Sequence, residues 1–193
     1  MLIGLVGLIG SGKDTVASRL AKKHNFKRDS FAKSLKDAVS NIFGWDRILL
    51  EGDTKESREW REQPDKFWSD RFGKSVTPRW ILQYFGTEVC RGGMLDSLWV
   101  DSLVSRYKGE NTVISDTRFE NEIRIIRQNG GKIVLVKRSE IPSREEMKAS
   151  GAHKSEWDWI GSKFDYIIDN NSTFENLENN VDRMIKHLLL DPQ

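Results

Sequence analysis

The sequence predicts an α/β protein built on a parallel sheet, and three observations support this class. Short apolar runs alternate along the chain with segments of helical period, the pattern of right-handed crossovers between parallel strands. The first run, Leu2–Val6, is apolar throughout, as expected of a strand that is buried on both faces. A glycine-rich segment at residues 7–12 follows that strand and leads directly into a helix.

The remaining elements repeat this alternation along the chain. The predicted strands cover residues 2–6, 27–31, 112–115, 132–137 and 166–168. The predicted helices cover residues 15–24, 32–43, 95–107, 119–128 and 174–190. Apolar side chains in these helices recur three or four positions apart, as Val16 and Leu20 do in the first. Gly44 ends the second helix, because glycine readily takes the left-handed backbone at a helix end.

The middle of the chain differs from this regular pattern. Residues 51–74 are dense in charge and keep no hydrophobic period, so they are predicted to form an irregular and mobile helical insertion. Thr77 and Pro78 mark a further helix start, because a capping hydroxyl precedes a proline at the first helical position. A polar loop around a short helix is expected at about residues 139–157.

Composition excludes several classes of protein. The chain of 193 residues suits one domain, with room for an inserted lobe. A net charge of +2 gives no case for binding nucleic acid. The single cysteine, Cys90, excludes an internal disulfide and fits a reducing cytoplasm. No apolar run approaches the roughly 20 residues of a membrane span, and the apolar start is interpreted as a core strand rather than an export signal.

The segment Gly7-Leu8-Ile9-Gly10-Ser11-Gly12-Lys13-Asp14-Thr15 carries the strongest functional signal. It matches the phosphate-loop pattern G-x-x-x-x-G-K-[ST] through the lysine, and then Asp14 stands where Ser or Thr is expected. Glycines let several backbone N–H groups point at one anion, and the following helix adds its positive N-terminus. The pattern predicts a triphosphate site. The predicted ATP-binding residues are Gly10, Ser11, Gly12, Lys13, Asp14, Thr15 and Arg138.

Other charged residues follow the predicted strands at the same edge of the sheet, where ligands bind in such folds. Asp116 and Arg118 follow the third strand, and Arg138 follows the fourth. Asp116 suits Mg²⁺ held through water, and Thr15 is the other candidate metal ligand. The alternative for Asp116 is a helix cap, and for Arg138 a surface charge. Lys13, Asp14, Arg118 and Arg138 are the predicted catalytic residues. Asp14 is unusual, because a carboxylate repels phosphates unless a cation or a hydrogen-bond donor lies between them.

The order glycine, lysine, any residue, threonine is similar to the phosphate loop of nucleoside monophosphate kinases. More specifically, the chain resembles the phage-type deoxynucleoside monophosphate kinases. The resemblance rests on residues 11–15 (SGKDT), 35–38 (LKDA), 79–88 (RWILQYFGTE) and 116–122 (DTRFENE), with a looser match at 153–156 (HKSE).

This resemblance implies a P-loop NTPase fold with a five-stranded parallel sheet of order 2-3-1-4-5. It implies one domain over residues 1–193, a helical acceptor-binding insertion at about 33–108 and a lid loop at about 139–157. The implied reaction is in-line transfer of the ATP γ-phosphoryl group to a deoxynucleoside 5′-monophosphate, with Mg²⁺. The expected acceptor-binding residues are Lys36, Arg79, Gln83, Thr87, Asp116, Arg118, Glu122 and Glu156. Spacing supports Arg79, Gln83 and Thr87 independently, since positions four apart share a helix face.

Some expectations stay open at this point. Another small-molecule kinase, such as dephospho-coenzyme A kinase, shares the loop core, but such a kinase is expected to have Ser at position 14. A nucleotide-dependent switch or ATPase is the second alternative, although the chain has no Asn-Lys-x-Asp guanine motif. Residues 143–148 are a candidate lid without a defined motif, and His153 is expected to be a structural hydrogen-bonding residue. The substrates would be small molecules in the cytoplasm (the host cytoplasm for a phage protein), and a homodimer is compatible with the sequence.

Overall fold

A computed structural model describes residues 1–190 of the chain. Five strands form one sheet: Leu2–Val6 (β1), Lys27–Asp29 (β2), Thr112–Ile114 (β3), Lys132–Lys137 (β4) and Tyr166–Asp169 (β5). All neighbouring pairs are parallel, and the order is β2-β3-β1-β4-β5. This confirms the predicted sheet and its order. β1 lies at the centre, so the glycine-rich segment that follows it emerges in the middle of the carboxyl edge.

Nine α-helices lie in the described residues. They are Lys13–His24 (α1), Lys33–Phe43 (α2), Lys55–Glu62 (α3), Lys66–Phe72 (α4), Pro78–Tyr84 (α5), Leu98–Arg106 (α6), Glu120–Gln128 (α7), Arg144–Ala149 (α8) and Phe174–Leu190 (α9). α1 begins two residues earlier than predicted, which places Lys13 and Asp14 inside its first turn. None of the helices in residues 1–190 is long and apolar enough to cross a bilayer.

The chain divides into two compact units. The sheet unit comprises residues 1–30 and 107–190 of the described chain, with the whole β-sheet. The helical unit is Phe31–Arg106 and contains α2 to α6. The expected insertion at about 33–108 overlaps the helical unit, and its role in binding an acceptor stays a prediction.

The core of the sheet unit follows from the alternation of side chains along β1. Ile3 and Leu5 join a buried cluster with residues of α1 and α9, such as Val16 and Val181. Gly4 is an intervening residue, and a Cβ atom there would lie 2.5 Å from the Ile126 Cδ1 atom of α7. Because successive side chains point to opposite faces, helices cover both faces of the sheet. Because helices cover both faces, a ligand site is expected at the carboxyl ends of the strands.

A cluster of charges joins α1 to α9 around the Asp182 carboxylate. Arg19 Nη2 donates to it at 2.9 Å, Lys23 Nζ at 2.7 Å, and His24 Nε2 lies 2.7 Å from it. Arg19 also pairs with Glu178 Oε1 at 3.0 Å. Hydrogen bonds from Arg19 above all, and also from Lys23 and His24, hold the pKa of Asp182 well below its usual range, although partial burial acts in the opposite direction. A carboxyl with a lowered pKa stabilises the fold only while it is ionised.

We expect this cluster to make the free energy of unfolding depend on pH in the acidic range. The contribution of Asp182 is present above its unfolded pKa of about 4 and is lost as pH falls toward its lower folded pKa. Asp182→Asn should lower the free energy of unfolding at pH 7 by about 1–3 kcal/mol. Below pH 4, the free energy of unfolding should fall less steeply in this variant than in the wild type. Urea unfolding between pH 2.5 and 7 measures both effects. Asp70→Asn, which removes an exposed pair with Lys66, is the control and should cost less than about 1 kcal/mol. An acid dependence that is identical in wild type and Asp182→Asn would contradict this account.

The segment 51–74 contains two short helices that caps and aromatic rings hold in place. The side chains of Thr54 and Asp65 cap α3 and α4. Asp65 also accepts from the Trp45 indole at 2.8 Å, and the Trp68 indole donates to the Phe43 carbonyl at 2.9 Å. The partners in these contacts, Trp45 and Phe43, lie outside the segment 51–74. A hydrophobic period within the segment therefore does not reveal them. The mobility of the segment stays a prediction.

The helix that begins at Thr77-Pro78 has the predicted start, with Thr77 Oγ1 accepting from the Trp80 N–H at 3.1 Å. It then changes type, because Phe85–Gly92 is π-helical. The Trp99 indole donates to the Gly86 carbonyl at 2.9 Å, which gives that carbonyl a partner outside the helix ladder. The interval from Gln83 to Thr87 crosses this change of helix type, and the shared face of Arg79, Gln83 and Thr87 stays a prediction.

Candidate active site

The glycine-rich segment forms a tight loop between β1 and α1. Gly7 has φ +147°, and a Cβ atom there would lie 2.4 Å from the Val136 carbonyl oxygen of β4. Gly12 has φ +102°, and its Cβ would lie 2.6 Å from Asn170 Nδ2. Both positions therefore require glycine for backbone conformation and for space. The loop is fixed against the ends of β4 and β5.

Lys13 turns its side chain back over this loop. Its Nζ donates to the carbonyl oxygens of Gly7 at 2.8 Å and Leu8 at 2.9 Å. Burial above all, and also the charge of Arg118, lower the pKa of Lys13 to about 8, although Asp14 and Asp116 oppose the shift. The ammonium is still largely charged at neutral pH. Its electrostatic coupling to Arg118, Asp14 and Asp116 shows that the structure brings these predicted residues together.

Asp14 is exposed and has a cationic partner that the sequence analysis missed. Its Oδ1 accepts from Arg28 Nη2 at 3.1 Å, and Arg28 Nη1 donates to Ser18 Oγ at 3.2 Å. Arg28 lies on β2. The pair supplies the cation that a carboxylate beside a phosphate site needs. The sequence shows that Asp14 needs a nearby cation, and the basic residues 27–28 of the second strand are the signal that could have identified it.

The turn after β3 is organised by Glu122 on α7. Its side chain is only 2% exposed, and Oε2 accepts from the backbone N–H groups of Arg118 at 2.7 Å and Phe119 at 3.1 Å. Phe119 is the cap position of α7, so the alternative of Asp116 as the helix cap is wrong. The carboxylate of the buried Glu122 holds the Arg118 backbone, and direct contact of Glu122 with an acceptor stays a prediction. Arg118 itself is exposed.

Arg138 reaches the phosphate loop from the end of β4. Its Nη1 donates to the Gly10 carbonyl at 3.3 Å. A cavity of about 280 Å³ lies between the loop and this strand end, lined by Leu8, Ile9, Gly10, Ser11, Val136, Lys137, Arg138, Ser139 and Ile141. The Ser11 hydroxyl is buried and has no hydrogen-bond partner in the described part of the chain. The Ser11 hydroxyl and the Arg138 guanidinium supply hydrogen-bond donors and positive charge in this region, which suits an anionic ligand.

Four predicted acceptor residues lie in the helical unit. Lys36 is 14% exposed, and its Nζ donates to Glu51 Oε2 at 2.5 Å. Arg79 Nη1 donates to Glu62 Oε1 at 3.1 Å. Gln83 on α5 and Thr87 in the π-helical segment are half-buried. Lys36 is engaged in a partly buried ion pair, so it has a structural role whether or not it binds a substrate.

Glu156 lies in a short 3₁₀ turn, Lys154–Glu156, and is half-buried. His153 caps that turn, because its Nδ1 accepts from the Ser155 N–H at 3.3 Å and lies 2.8 Å from the Ser155 hydroxyl. This is the structural role that was expected of His153. The binding of an acceptor by Glu156 stays a prediction.

Arg144 was the arginine of the candidate lid, and the structure places it in a network of three acceptors. Nε donates to the Ile160 carbonyl at 2.6 Å, and Nη2 donates to Glu120 Oε1 at 2.7 Å and to the Asp158 carbonyl at 2.5 Å. These contacts attach α8 to the segments around it. The lid role of residues 139–157 stays a prediction.

The two candidate magnesium ligands are Thr15 and Asp116. Within residues 1–190, no group of three or more acidic, histidine or cysteine side chains is arranged to hold a metal. Thr15 is half-buried in the first turn of α1, and Asp116 is half-buried after β3. These two residues suit an ion that a phosphate-bearing substrate holds and the protein contacts through water, as Mg²⁺ often is.

Comparison with known proteins identifies the family of the chain. A sequence profile of the family described as deoxynucleotide monophosphate kinase matches residues 51–181. A protein of Acanthamoeba polyphaga mimivirus, provisionally named a deoxynucleotide monophosphate kinase, is 35% identical over 191 residues, covering 91% of each chain. The chain belongs to the deoxynucleotide monophosphate kinase family. The kinase is thus a phosphotransferase that acts on nucleoside monophosphates. The profile match begins after the phosphate loop, so it is independent of that motif.

The fold comparison supports the same conclusion for the architecture. Shikimate kinase from Aquifex aeolicus superposes with a TM-score of 0.51 at 18% identity, covering 98% of this chain and 99% of that one. This likeness shows the fold of a P-loop kinase. The family assignment confirms the resemblance seen in the sequence, and it does not favour a dephospho-coenzyme A kinase or a nucleotide-dependent switch.

Proposed function

We propose that the kinase transfers the γ-phosphoryl group of ATP, with Mg²⁺, to a deoxynucleoside 5′-monophosphate and forms the diphosphate. The observation that supports this most is the phosphate loop of residues 7–13 with the Lys13 ammonium over it, in a chain of the deoxynucleotide monophosphate kinase family. Phosphoryl transfer needs positioning and charge neutralisation more than covalent chemistry from the protein. The residues of the site supply both.

The donor side consists of groups that suit a polyphosphate. Loop N–H groups at Gly10 and Gly12, the start of α1 and the buried Ser11 hydroxyl are donors, and phosphate oxygens are acceptors. Lys13 and Arg138 add full positive charge. When bound, Mg²⁺ neutralises charge on the outer phosphates, and Thr15 and Asp116 would hold it through water.

In the transfer step, the main task of the protein is to orient the two substrates. A phosphate oxygen of the acceptor attacks the γ-phosphorus in line, the bond to the β,γ-bridging oxygen breaks, and ADP leaves. We assign Lys13, Arg118 and Arg138 to stabilising the charge that develops on the transferred group. Asp14, paired with Arg28, would keep the ammonium of Lys13 charged. No strong base is required, since the attacking phosphate oxygen is already ionised.

The acceptor-binding residues proposed in the helical unit are Lys36, Arg79, Gln83 and Thr87. Those proposed in the sheet unit are Asp116, Arg118, Glu122 and Glu156. Glu122 is proposed in addition to position Arg118, because its carboxylate holds the Arg118 backbone N–H. A guanidinium such as Arg79 suits the acceptor phosphate, because its planar donors match two phosphate oxygens.

Arg79→Ala is expected to weaken acceptor binding and to spare ATP. Loss of one charge-assisted contact should raise the acceptor KM about 10-fold or more, with the ATP KM changed less than about twofold. Steady-state kinetics with each substrate varied in turn measures the two values. Arg71→Ala removes a surface guanidinium that lies 5.2 Å from the Phe67 ring, and it should change neither KM. A rise in the ATP KM alone would remove the helical unit from the acceptor site.

A coupled ATP assay across all deoxy- and ribonucleoside monophosphates tests the function directly. We expect ADP release that depends on one or more deoxynucleoside monophosphates and on Mg²⁺, with the diphosphate as product. Dephospho-coenzyme A belongs in the same panel. Its phosphorylation without turnover of any nucleoside monophosphate would overturn the proposal. ATP hydrolysis that DNA stimulates, without phosphorylation of an acceptor, would overturn it as well.

A further inference from the structure

Asn170 is a residue outside the motifs that contacts the phosphate loop. It follows β5 directly, and its backbone N–H donates to the Lys137 carbonyl at 2.7 Å, which continues the pairing of β4 with β5. Its side-chain Nδ2 donates to the Ser11 carbonyl at 2.8 Å. A carbonyl oxygen only accepts hydrogen bonds, so the amide must present its nitrogen here. The Asn170 backbone is fixed by the sheet, and its side chain is fixed by the loop.

This contact sets the direction of one loop peptide. In a planar trans peptide, the C=O and the N–H point in opposite directions. A bond that holds the Ser11 carbonyl toward Asn170 therefore turns the Gly12 N–H away from Asn170. Successive loop N–H groups form an anion-binding concavity only when their peptides are turned to the same side. The direction of the Ser11–Gly12 peptide therefore decides whether its N–H can serve an anion.

The packing at Gly12 supports the same conclusion. Gly12 has a left-handed backbone, and the space that a Cβ atom would take there is filled by the Asn170 amide, with Nδ2 2.6 Å from the Cβ position. Ser11 N–H donates to the Leu8 carbonyl at 3.1 Å, which fixes the preceding peptide of the loop independently. The Asn170 amide thus supplies the external contact to the peptide that precedes the α1 helix.

We propose that Asn170 is a positioning residue for the phosphate donor: its amide orients the Ser11–Gly12 peptide so that the Gly12 N–H is presented to the ATP phosphates. This inference rests on the proposed function, since it concerns the same phosphate loop. Asn170 acts through the loop and not through contact with the transferred group. Its loss should therefore weaken binding of the donor and leave binding of the acceptor unchanged.

Two variants of Asn170 and one matched control test the inference. Asn170→Ala removes the donor, and Asn170→Asp keeps the shape but replaces the donor with a charged acceptor. Asn180→Ala is the control, because Asn180 donates to the Asp169 carbonyl at 3.1 Å, next to Asn170 but not in the loop. The measurements are binding of a non-hydrolysable ATP analogue with Mg²⁺, kcat and both KM values, and urea unfolding.

The expected result separates positioning from mere structural support. Asn170→Ala should raise the analogue Kd and the ATP KM about 10-fold, with kcat lowered less than about threefold and the acceptor KM unchanged. Asn170→Asp should raise them further, because a carboxylate repels both the Ser11 carbonyl and the phosphates. Asn180→Ala should leave both KM values within about twofold.

Other results would overturn the inference. A lower unfolding free energy with an unchanged ATP KM in both Asn170 variants would show a structural role only. An acceptor KM that rises as much as the ATP KM would show a general disturbance. If wild type binds the analogue but phosphorylates no nucleoside monophosphate, the proposed function fails, while the analogue Kd of the variants still decides the role of Asn170.

Discussion

Lys13→Ala is expected to lower turnover by about 100-fold or more while the protein stays folded. The ammonium lies over the phosphate loop, held by the Gly7 and Leu8 carbonyls, and it is partly shielded from water. Such a preorganised charge acts strongly on the charge that develops during transfer, because it needs no reorientation at that moment. Loss of its two hydrogen bonds should cost no more than about 1–3 kcal/mol of stability, since the core of Val16 and Leu20 is untouched.

The measurement for this variant is kcat under saturating substrates, together with circular dichroism and urea unfolding. Lys22→Ala is a matched control, because Lys22 is an exposed lysine of the same helix. It should retain wild-type turnover within about twofold. If Lys13→Ala keeps the wild-type kcat, the phosphate loop has no role in catalysis.

Glu122→Ala is expected to produce the largest loss of stability among the site variants, about 2–4 kcal/mol. The buried carboxylate accepts two backbone N–H groups of the turn after β3, and its removal leaves both without that acceptor. It also removes a negative charge from the first turn of α7, where the helix dipole favours one. Because the turn carries Arg118, catalysis should fall together with stability.

Urea unfolding of Glu122→Ala and Glu122→Gln measures this effect. The glutamine keeps an acceptor oxygen at the same distance from the backbone, so it should recover more than half of the lost stability. Glu175→Ala is the control, since Glu175 is an exposed glutamate in the first turn of α9. Its cost should be below about 1 kcal/mol. Equal losses for Glu122→Ala and Glu175→Ala would mean that the buried contacts of Glu122 contribute little.

Local sequence patterns predicted those parts of the fold that local physics decides. β1 is apolar on both faces because it lies at the centre of the sheet, and the run Leu2–Val6 shows this directly. The cap at Thr77-Pro78 and the end at Gly44 were also readable, since each depends on one or two residues. The phosphate loop belongs to the same class, because glycine spacing and the position of Lys13 are local.

Contacts between distant segments were not readable in this way. The Arg28 partner of Asp14 and the Asn170 partner of Ser11 depend on which strands lie side by side. The π-helical segment accepts a hydrogen bond from the Trp99 indole at the Gly86 carbonyl, and the spacing of residues within the helix does not reveal this contact. Tertiary contacts of this kind override local propensity.

Glu122 is an intermediate case. The resemblance marks it as an acceptor-binding residue within the segment 116–122, and the structure shows that it also holds the backbone of Arg118 and Phe119. The spacing from Phe119 to Glu122 is that of a capping box, in which a glutamate bonds back to the N–H of the cap residue. Phe119 is an unusual cap, so this local signal was hidden by the residue type.

The order of the strands has a consequence for synthesis of the protein on the ribosome. The loop at residues 7–13 is translated before the segments that contact it, which are Val136 in β4, Arg138 after β4 and Asn170 after β5. In a nascent chain the loop therefore lacks these contacts until residue 170 has left the ribosome. The surroundings of the loop are completed only after all five strands have been made, so their assembly is a late event in folding.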